Sequence, residues 1–166
     1  MNRIALLVCS LLLSACQPPA APRGGAAGEA ASVAVGALSV ENPQVRPPLG
    51  GQTTGAAYLV IRNTGNETDR LVAARSTAAG VVEIHTHRAA DGVMRMERVD
   101  FIDIPAHGAV VFEPRGLHLM LFDLKADGAS VPITLQFAKA GEATVSFAVA
   151  PLGAASPRPD HAGMGH

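Results

Sequence analysis

The stretch GLHLMLFDL, residues 116–124, has the composition of a β-strand, but it contains two side chains that are unusual in a strand. Its leucines and Phe122 supply the apolar surface that a strand packs into a core. His118 and Met120 stand two residues apart. Side chains alternate between faces along a strand, so both point the same way. The stretch therefore predicts a strand that places an imidazole and a thioether side by side on one face.

Short apolar segments with turn signals between them fill the rest of the chain. They recur at intervals of roughly 8 to 12 residues, the spacing typical of β-sandwiches and barrels. No long segment has a helical period, and the 17 Gly and 12 Pro residues favour turns. We expect an all-β sandwich or barrel, with a strand in SVAVGALSV (residues 32–40), an irregular loop in NPQVRPPLGGQ (residues 42–52) and a short strand pair around residues 105–108.

The first residues predict export rather than folded structure. Residues 1–15 carry Arg3 and then an apolar run, as secretory signals do. They end in LSAC, which resembles the lipobox of bacterial lipoproteins, so Cys16 is expected to become lipid-modified. Gln17 follows, and by resemblance to the bacterial sorting pattern this favours anchoring in the outer rather than the inner membrane. The alternative is ordinary secretion, with cleavage after Ala15 and a soluble periplasmic product.

The remaining chain divides into a tether, a domain and a tail. Residues 16–31 are rich in Pro, Gly and Ala and predict a flexible tether. Residues 32–152 form the β domain, and residues 153–166 lose the strand pattern and predict a disordered tail. Cys9 and Cys16 are the two cysteines, so the mature domain contains neither a disulfide nor a free thiol. A net charge of −1 lacks the basic surface that nucleic acid binding requires.

A hairpin near the middle of the chain gathers more His and Met residues. Asp91-Gly92 is a two-residue turn signal. With that turn, Met96 lies opposite His87, and His85 is its diagonal neighbour on the same face. Met94 shares this face, where it serves either as an auxiliary ligand or as packing next to the site.

A cluster of imidazole and thioether groups without thiolate has a chemical preference. Thioether sulfur is a soft ligand that selects Cu(I) over Zn(II), Mg(II) or Ca(II). The thioether is not protonated, whereas protons compete with the metal ion for imidazole below about pH 6.5. Spacing alone leaves open whether these residues bind a metal ion or pack as ordinary core and surface side chains.

The spacing of four of these residues resembles the fingerprint of the PCuAC family of periplasmic copper chaperones. That fingerprint is His, ten residues, Met, twenty-one residues, His, any residue, Met. It matches His85, Met96, His118 and Met120. Flanking segments such as GAAYLVIRNTG and IPAHGAVVFEPRG resemble family segments as well, and the likeness extends over residues 32–150.

The resemblance implies a fold, a cargo and a destination. The fold would be a cupredoxin-like Greek-key β-sandwich, and His85, Met96, His118 and Met120 would be the Cu(I) ligands. The protein would be a monomeric carrier rather than an enzyme. It would deliver copper to the CuA site in subunit II of cytochrome c oxidase, directly or through a thiol copper chaperone. It would touch the membrane only through its lipid anchor.

Several alternatives remain open from the sequence. The protein would otherwise serve copper storage or tolerance, or would bind Cu(II) or Zn(II) generally without delivering it. A blue-copper electron carrier is disfavoured because such sites need a Cys thiolate. No hydrolase motif such as HExxH or GxSxG is present.

Two features depart from the four-residue fingerprint. Many family members have His-Glu-Met where this chain has His85-Thr86-His87, so we rank His87 as an auxiliary ligand for Cu(II) or for transfer. The tail holds His161, Met164 and His166, which are the same ligand types. The tail is either a second copper site that captures Cu(II) or simply a solvated end.

Overall fold

This computed structural model describes residues 32–90 and 92–150. Within them the chain forms eleven β-strands, joined by turns and loops, and no helix. Accordingly, no helix in that part of the chain is suited to crossing a membrane. The strands are β1 (Ser32–Val35), β2 (Leu38–Arg46), β3 (Gly55–Asn63), β4 (Asp69–Arg75), β5 (Val81–Ala90), β6 (Val93–Arg98), β7 (Ile102–Ile104), β8 (Ala109–Phe112), β9 (His118–Phe122), β10 (Ser130–Phe137) and β11 (Gly141–Val149). The all-β prediction is confirmed.

The strands join in one hydrogen-bonded path. Its order is β6-β5-β9-β3-β2-β11-β10-β4-β7, with β1 added to β2 and β8 added to β3. Neighbouring strands are antiparallel except β2 and β11, which are parallel. Non-consecutive neighbours such as β5 and β9 bring distant parts of the sequence together.

A single hydrophobic core holds the two halves of this path against each other. Ile84 of β5, Leu119 of β9, Leu71 of β4 and Leu135 of β10 all belong to it. Because β5 and β4 lie far apart along the strand order, the sheet must fold over on itself to share one core. Burying each such side chain contributes about 1.5–3 kcal/mol. Packing of this kind is what holds the described residues together, since both cysteines lie outside them.

The predicted loop at residues 42–52 begins later than expected. β2 continues through Arg46, and Val45 is completely buried. A register shift between Glu41 and Gln44 marks a β-bulge, in which Asn42 has a positive φ of 52°. Pro43 lies within this bulge, where a strand tolerates a residue without an N–H group. The prediction was wrong at residues 42–46, because the bulge lets the strand continue past Asn42 and Pro43.

The strand pair expected around residues 105–108 exists as two strands with different partners. β7 pairs with β4, and β8 pairs with β3. The turn between them contains His107, which is exposed and has a φ of 53°. This turn crosses from one partner strand to another instead of closing a hairpin, which the local sequence does not reveal.

Four predicted features fall outside the described residues. They are the signal peptide, the tether, the tail and the turn residue Asp91. The predictions for these residues stay predictions, including lipid modification of Cys16.

Asp69 at the start of β4 ties two distant segments together. Its carboxylate accepts hydrogen bonds from the backbone N–H groups of Arg70 at 2.7 Å, Lys139 at 2.9 Å and Ala140 at 2.9 Å. Burial raises the pKa of Asp69, but these three donors and the charge of Lys139 outweigh it and hold the pKa below its usual value. The ionised carboxylate therefore stabilises the connection between β10 and β11.

We expect Asp69→Asn to lower the free energy of unfolding at pH 7 by about 1–3 kcal/mol, because the amide nitrogen cannot accept these bonds. A carboxylate with a depressed pKa adds stability above its unfolded pKa of about 4 and loses it as the pH falls through the folded value. The difference between wild type and variant should therefore shrink in acid. Urea unfolding at pH 7 and near pH 3 measures this.

Asp103→Asn is the matched control, since Asp103 is more than half exposed and pairs with Arg70 on the surface. An exposed pair contributes little, so this variant should remain close to wild type. Equal losses in the two variants would contradict the role assigned to Asp69.

Candidate metal centre

β9 separates the core from the candidate site. Leu119 and Leu121 are completely buried in the core. His118 and Met120 point to the opposite face, as predicted from their spacing. β9 lies between β5 and β3 in the sheet. Side chains from both neighbours can therefore approach His118 and Met120.

The hairpin of β5 and β6 adds the second part of the site. His87 pairs with Met96 and Ala89 pairs with Met94, which confirms the predicted register. On the other edge of β5, His85 pairs with His118 of β9. The hairpin of β5 and β6 and the more distant strand β9 thus bring His85, His87 and Met96 to the face that carries His118 and Met120.

His118 is the most buried of these side chains, with 4% of its surface exposed. Its Nδ1 lies 3.1 Å from the carbonyl oxygen of Gly116. A carbonyl oxygen only accepts, so this contact assigns the proton of the neutral ring to Nδ1 and leaves a lone pair on Nε2. Burial lowers the pKa of His118, and the neighbouring charges of His87, His85 and Arg46 act in the same direction against the hydrogen bond to Gly116. The ring is therefore neutral and able to bind a metal ion at neutral pH.

Two lone-pair donors face each other at the centre of the site. Nε2 of His118 lies 3.3 Å from Sδ of Met96. With the proton on Nδ1, this contact has no hydrogen between its two atoms. When two adjacent ligand atoms each bind the same ion at about 2.0–2.3 Å, the two atoms are separated from each other by a distance close to the 3.3 Å seen here. The pair fits a metal ion that both atoms contact.

His85 is held by an acidic residue on its own strand. Its Nε2 lies 2.8 Å from Oε2 of Glu83. Oε1 of Glu83 accepts a hydrogen bond from Nη1 of Arg98 at 3.0 Å. The hydrogen bond from His85 lowers the pKa of Glu83, burial opposes this, and the charge of Arg98 lowers it further. An ionised Glu83 accepts the Nε2 proton and leaves Nδ1 of His85 with a lone pair. That nitrogen is buried without a hydrogen-bond partner.

His87 lines the cavity in which the His118–Met96 pair lies. The cavity has a volume of about 710 Å³. Its lining residues include His87, Met96, His118 and Met120 together with Arg46, Ala56, Tyr58, Glu113, Pro114 and Arg115. The His87 ring stacks on the His118 ring with centroids 5.1 Å apart, whereas the centroid of the His85 ring is 6.1 Å from that of His118. Nδ1 of His87 is also buried without a hydrogen-bond partner.

Charged side chains also line the cavity. Arg46 ends β2, Glu113 precedes the turn before β9, and Arg115 lies in that turn. Burial raises the pKa of Tyr58, and the charge of Arg46 opposes this. Glu113 and Arg115 lie within five residues of His118 in the sequence, whereas only the strand order brings Arg46 here.

Within residues 32–90 and 92–150, no three His, Cys, Asp or Glu side chains are grouped so that they could hold an ion. The His118–Met96 pair instead offers one nitrogen and one sulfur donor. Thioether sulfur favours Cu(I).

Some predicted site residues are not tested by this geometry. Met94 is 58% exposed and is not among the residues that line the cavity. His161, Met164 and His166 lie outside the described residues. The ligand roles of all these residues, and those of His85, Met96, His118 and Met120, stay predictions.

Solved structures with similar folds come from copper proteins. The copper-bound PCuAC domain from PmoF2 matches with a TM-score of 0.61 and 32% identity over 72% of this chain and 97% of that domain. The solution structure of CuI-DR1885 from Deinococcus radiodurans matches with a TM-score of 0.55 and 26% identity, covering 71% of this chain and 79% of that one. The predicted cupredoxin-like β fold is confirmed by these matches.

Sequence comparison gives the family. A curated relative named "Putative lipoprotein Lxx21020" from Leifsonia xyli is 30% identical over 116 residues, which cover 68% of this chain and 69% of the relative. The family described as "Putative lipoprotein LpqE-like" matches residues 38–149, which is nearly the whole β domain. The chain thus belongs to the LpqE-like family, whose fold is that of the PCuAC domains.

Proposed function

We propose that this chain is an extracytoplasmic copper chaperone that binds Cu(I) on the face formed by β5, β6 and β9. The observation that carries the proposal is the approach of Nε2 of His118 to Sδ of Met96, at the cavity that Met120 also lines. The copper-bound PCuAC domain among the similar structures supports the same cargo.

Four side chains are proposed as the ligands. Met96, His118 and Met120 line the cavity. The family fingerprint adds His85, whose Nδ1 carries a free lone pair while Glu83 holds Nε2. A carboxylate that fixes the outer nitrogen of a ligating imidazole is a common arrangement around metal sites.

The charge around the site favours the lower oxidation state. Neutral imidazole and thioether groups compensate none of the charge of the ion. Arg46 and Arg115 line the cavity with two positive charges, and Glu113 adds one negative charge. A monovalent ion meets less repulsion in this surrounding than a divalent one, because the repulsion scales with its charge.

The site is open enough for hand-over to a partner. Met96 is 49% exposed and lies on β6, the outermost strand of the sheet. A partner can therefore reach one ligand directly while His118 remains buried behind it. Such a surface suits a carrier, and we propose no catalytic activity for this chain.

The destination and location follow from the family resemblance and the first residues of the sequence. We propose delivery to the CuA site in subunit II of cytochrome c oxidase, directly or through a thiol copper chaperone. Relatives named as lipoproteins support anchoring through Cys16 on the outer side of a membrane. The alternative is copper storage or tolerance without delivery.

Replacing Met96 and Met120 together by Leu tests the thioether ligands. Leu preserves most of the volume, so the fold should survive. We expect the Cu(I) affinity to fall by more than the roughly 10–100-fold that loss of an outer-shell partner costs. Competition with a chromophoric Cu(I) chelator measures it on a chain that starts at residue 17. Unchanged affinity would refute the proposed site, provided that the metal-free unfolding curves agree.

Deleting the residues after Pro159 tests the tail. If His161, Met164 and His166 form a second site, the truncated chain should lose one bound Cu(II) and keep its Cu(I) affinity. Copper stoichiometry by elemental analysis after gel filtration measures this. An unchanged stoichiometry would mean that the tail binds no copper.

Mixing the Cu(I)-loaded protein with a copper-free soluble domain of oxidase subunit II tests the destination. We expect copper to move to that domain, because a CuA site with thiolate ligands binds Cu(I) more strongly than thioethers do. The two proteins are separated and their copper content is measured. Copper that moves only after a thiol copper chaperone is added would favour the indirect route. Copper that stays in both cases would favour storage or tolerance.

A further inference from the structure

His87 is a side chain that the four-residue fingerprint leaves without a role. The fingerprint names His85 as the first ligand. In the structure, however, His87 lines the cavity together with Met96, His118 and Met120, whereas His85 is not among the lining residues. We propose that His87 is a direct copper ligand in this chain, binding through Nδ1. This inference rests on the proposed function.

The surroundings of the His87 ring support this assignment. Its Nδ1 is buried and has no hydrogen-bond partner. A buried polar atom without a partner has lost its hydrogen bonds to water without replacing them, which is unfavourable. Such an atom at a functional site is explained when a ligand satisfies it. A metal ion in the adjoining cavity is such a ligand.

The position of His87 relative to the other donors supports the same ion. His87 is the cross-strand partner of Met96, and Sδ of Met96 lies 3.3 Å from Nε2 of His118. The His87 ring also stacks on the His118 ring. His87 is thus adjacent to both residues of the nitrogen–sulfur pair. Of the two histidines on β5, it has the ring nearer to His118.

A ligand at His87 changes what the site can do. His85 is engaged by Glu83, which is itself held by Arg98. Among the described residues, no carboxylate holds His87 in this way. His87 is the cross-strand neighbour of the exposed Met96, which lies on the edge strand β6. With His87 the site has more donors than the four of the fingerprint. One donor can therefore leave for a partner's ligand while the others keep the ion.

His87→Ala tests the proposal in a chain that starts at residue 17 and carries H161Q, M164L and H166Q, so that the tail offers no competing donors. The probe is Cu(I) presented by a chromophoric chelator without oxygen, at a pH at which the imidazoles are neutral. We expect the Cu(I) affinity to fall by about tenfold or more, in the range that changes around metal sites cost. Thr86→Ala is the matched control on the opposite face of β5 and should retain the affinity.

Long-range proton–nitrogen NMR spectra give a readout that a purely structural role would not move. On addition of Cu(I) to the chain with an intact His87, the Nδ1 resonance of His87 should shift in the direction of metal ligation. This measurement needs no His87 variant, so it remains decisive if His87→Ala does not fold. His87→Gln, which retains a polar side chain, then replaces it in the affinity measurement.

The outcomes separate this inference from the proposed function. If the His87 variant binds like Thr86→Ala and the His87 nitrogens do not shift, while the double Met variant loses affinity, the inference is overturned and the proposed function stands. If the double Met variant binds Cu(I) like the wild type, the proposed function and this inference fall together. A drop in affinity together with the Nδ1 shift supports the inference.

Discussion

The register of β9 between its two neighbours is the constraint on which the rest of the site depends. Leu119 and Leu121 are buried in the core, and this burial orients His118 and Met120 to the other face. A slip of one residue would exchange the two faces and bury the donors. The core therefore sets the position of the candidate ligands through apolar packing, before any metal ion contributes.

Chemical softness and electrostatics act on the face that this register creates. Met96 and His118 offer sulfur and nitrogen lone pairs 3.3 Å apart, and residues 32–90 and 92–150 contain no group of three His, Cys, Asp or Glu side chains that could hold a metal ion. The positive side chains of Arg46 and Arg115 at the same cavity disfavour a more highly charged ion. On the proposed function, selectivity for Cu(I) would arise from the donor type and from the surrounding charge.

The division between buried and exposed donors suits a carrier. His118 is almost completely buried and hydrogen-bonded to Gly116, whereas Met96 is half exposed on an edge strand. On the proposed function, the buried donor would keep the ion in the protein and the exposed donor would exchange with a partner. His85 and His87 stand between these extremes, one held by Glu83 and the other facing the cavity with an unpartnered nitrogen.

The sequence by itself determined the all-β fold, the shared face of His118 and Met120 and the pairing of His87 with Met96. These depend on alternation along a strand and on the register of a two-residue turn, which are local properties. The loop predicted from residue 42 was wrong at residues 42–46, where a bulge accommodates a proline. The strand pair predicted around residues 105–108 was wrong in its pairing, because the partners of β7 and β8 are distant strands. Only the tertiary structure decided that β9 lies beside β5, that Arg46 lines the cavity and that His87 lies beside the His118–Met96 pair. The physical reason is that strand order and side-chain hydrogen bonds across the sheet arise from long-range packing, which leaves no periodic signal in the chain.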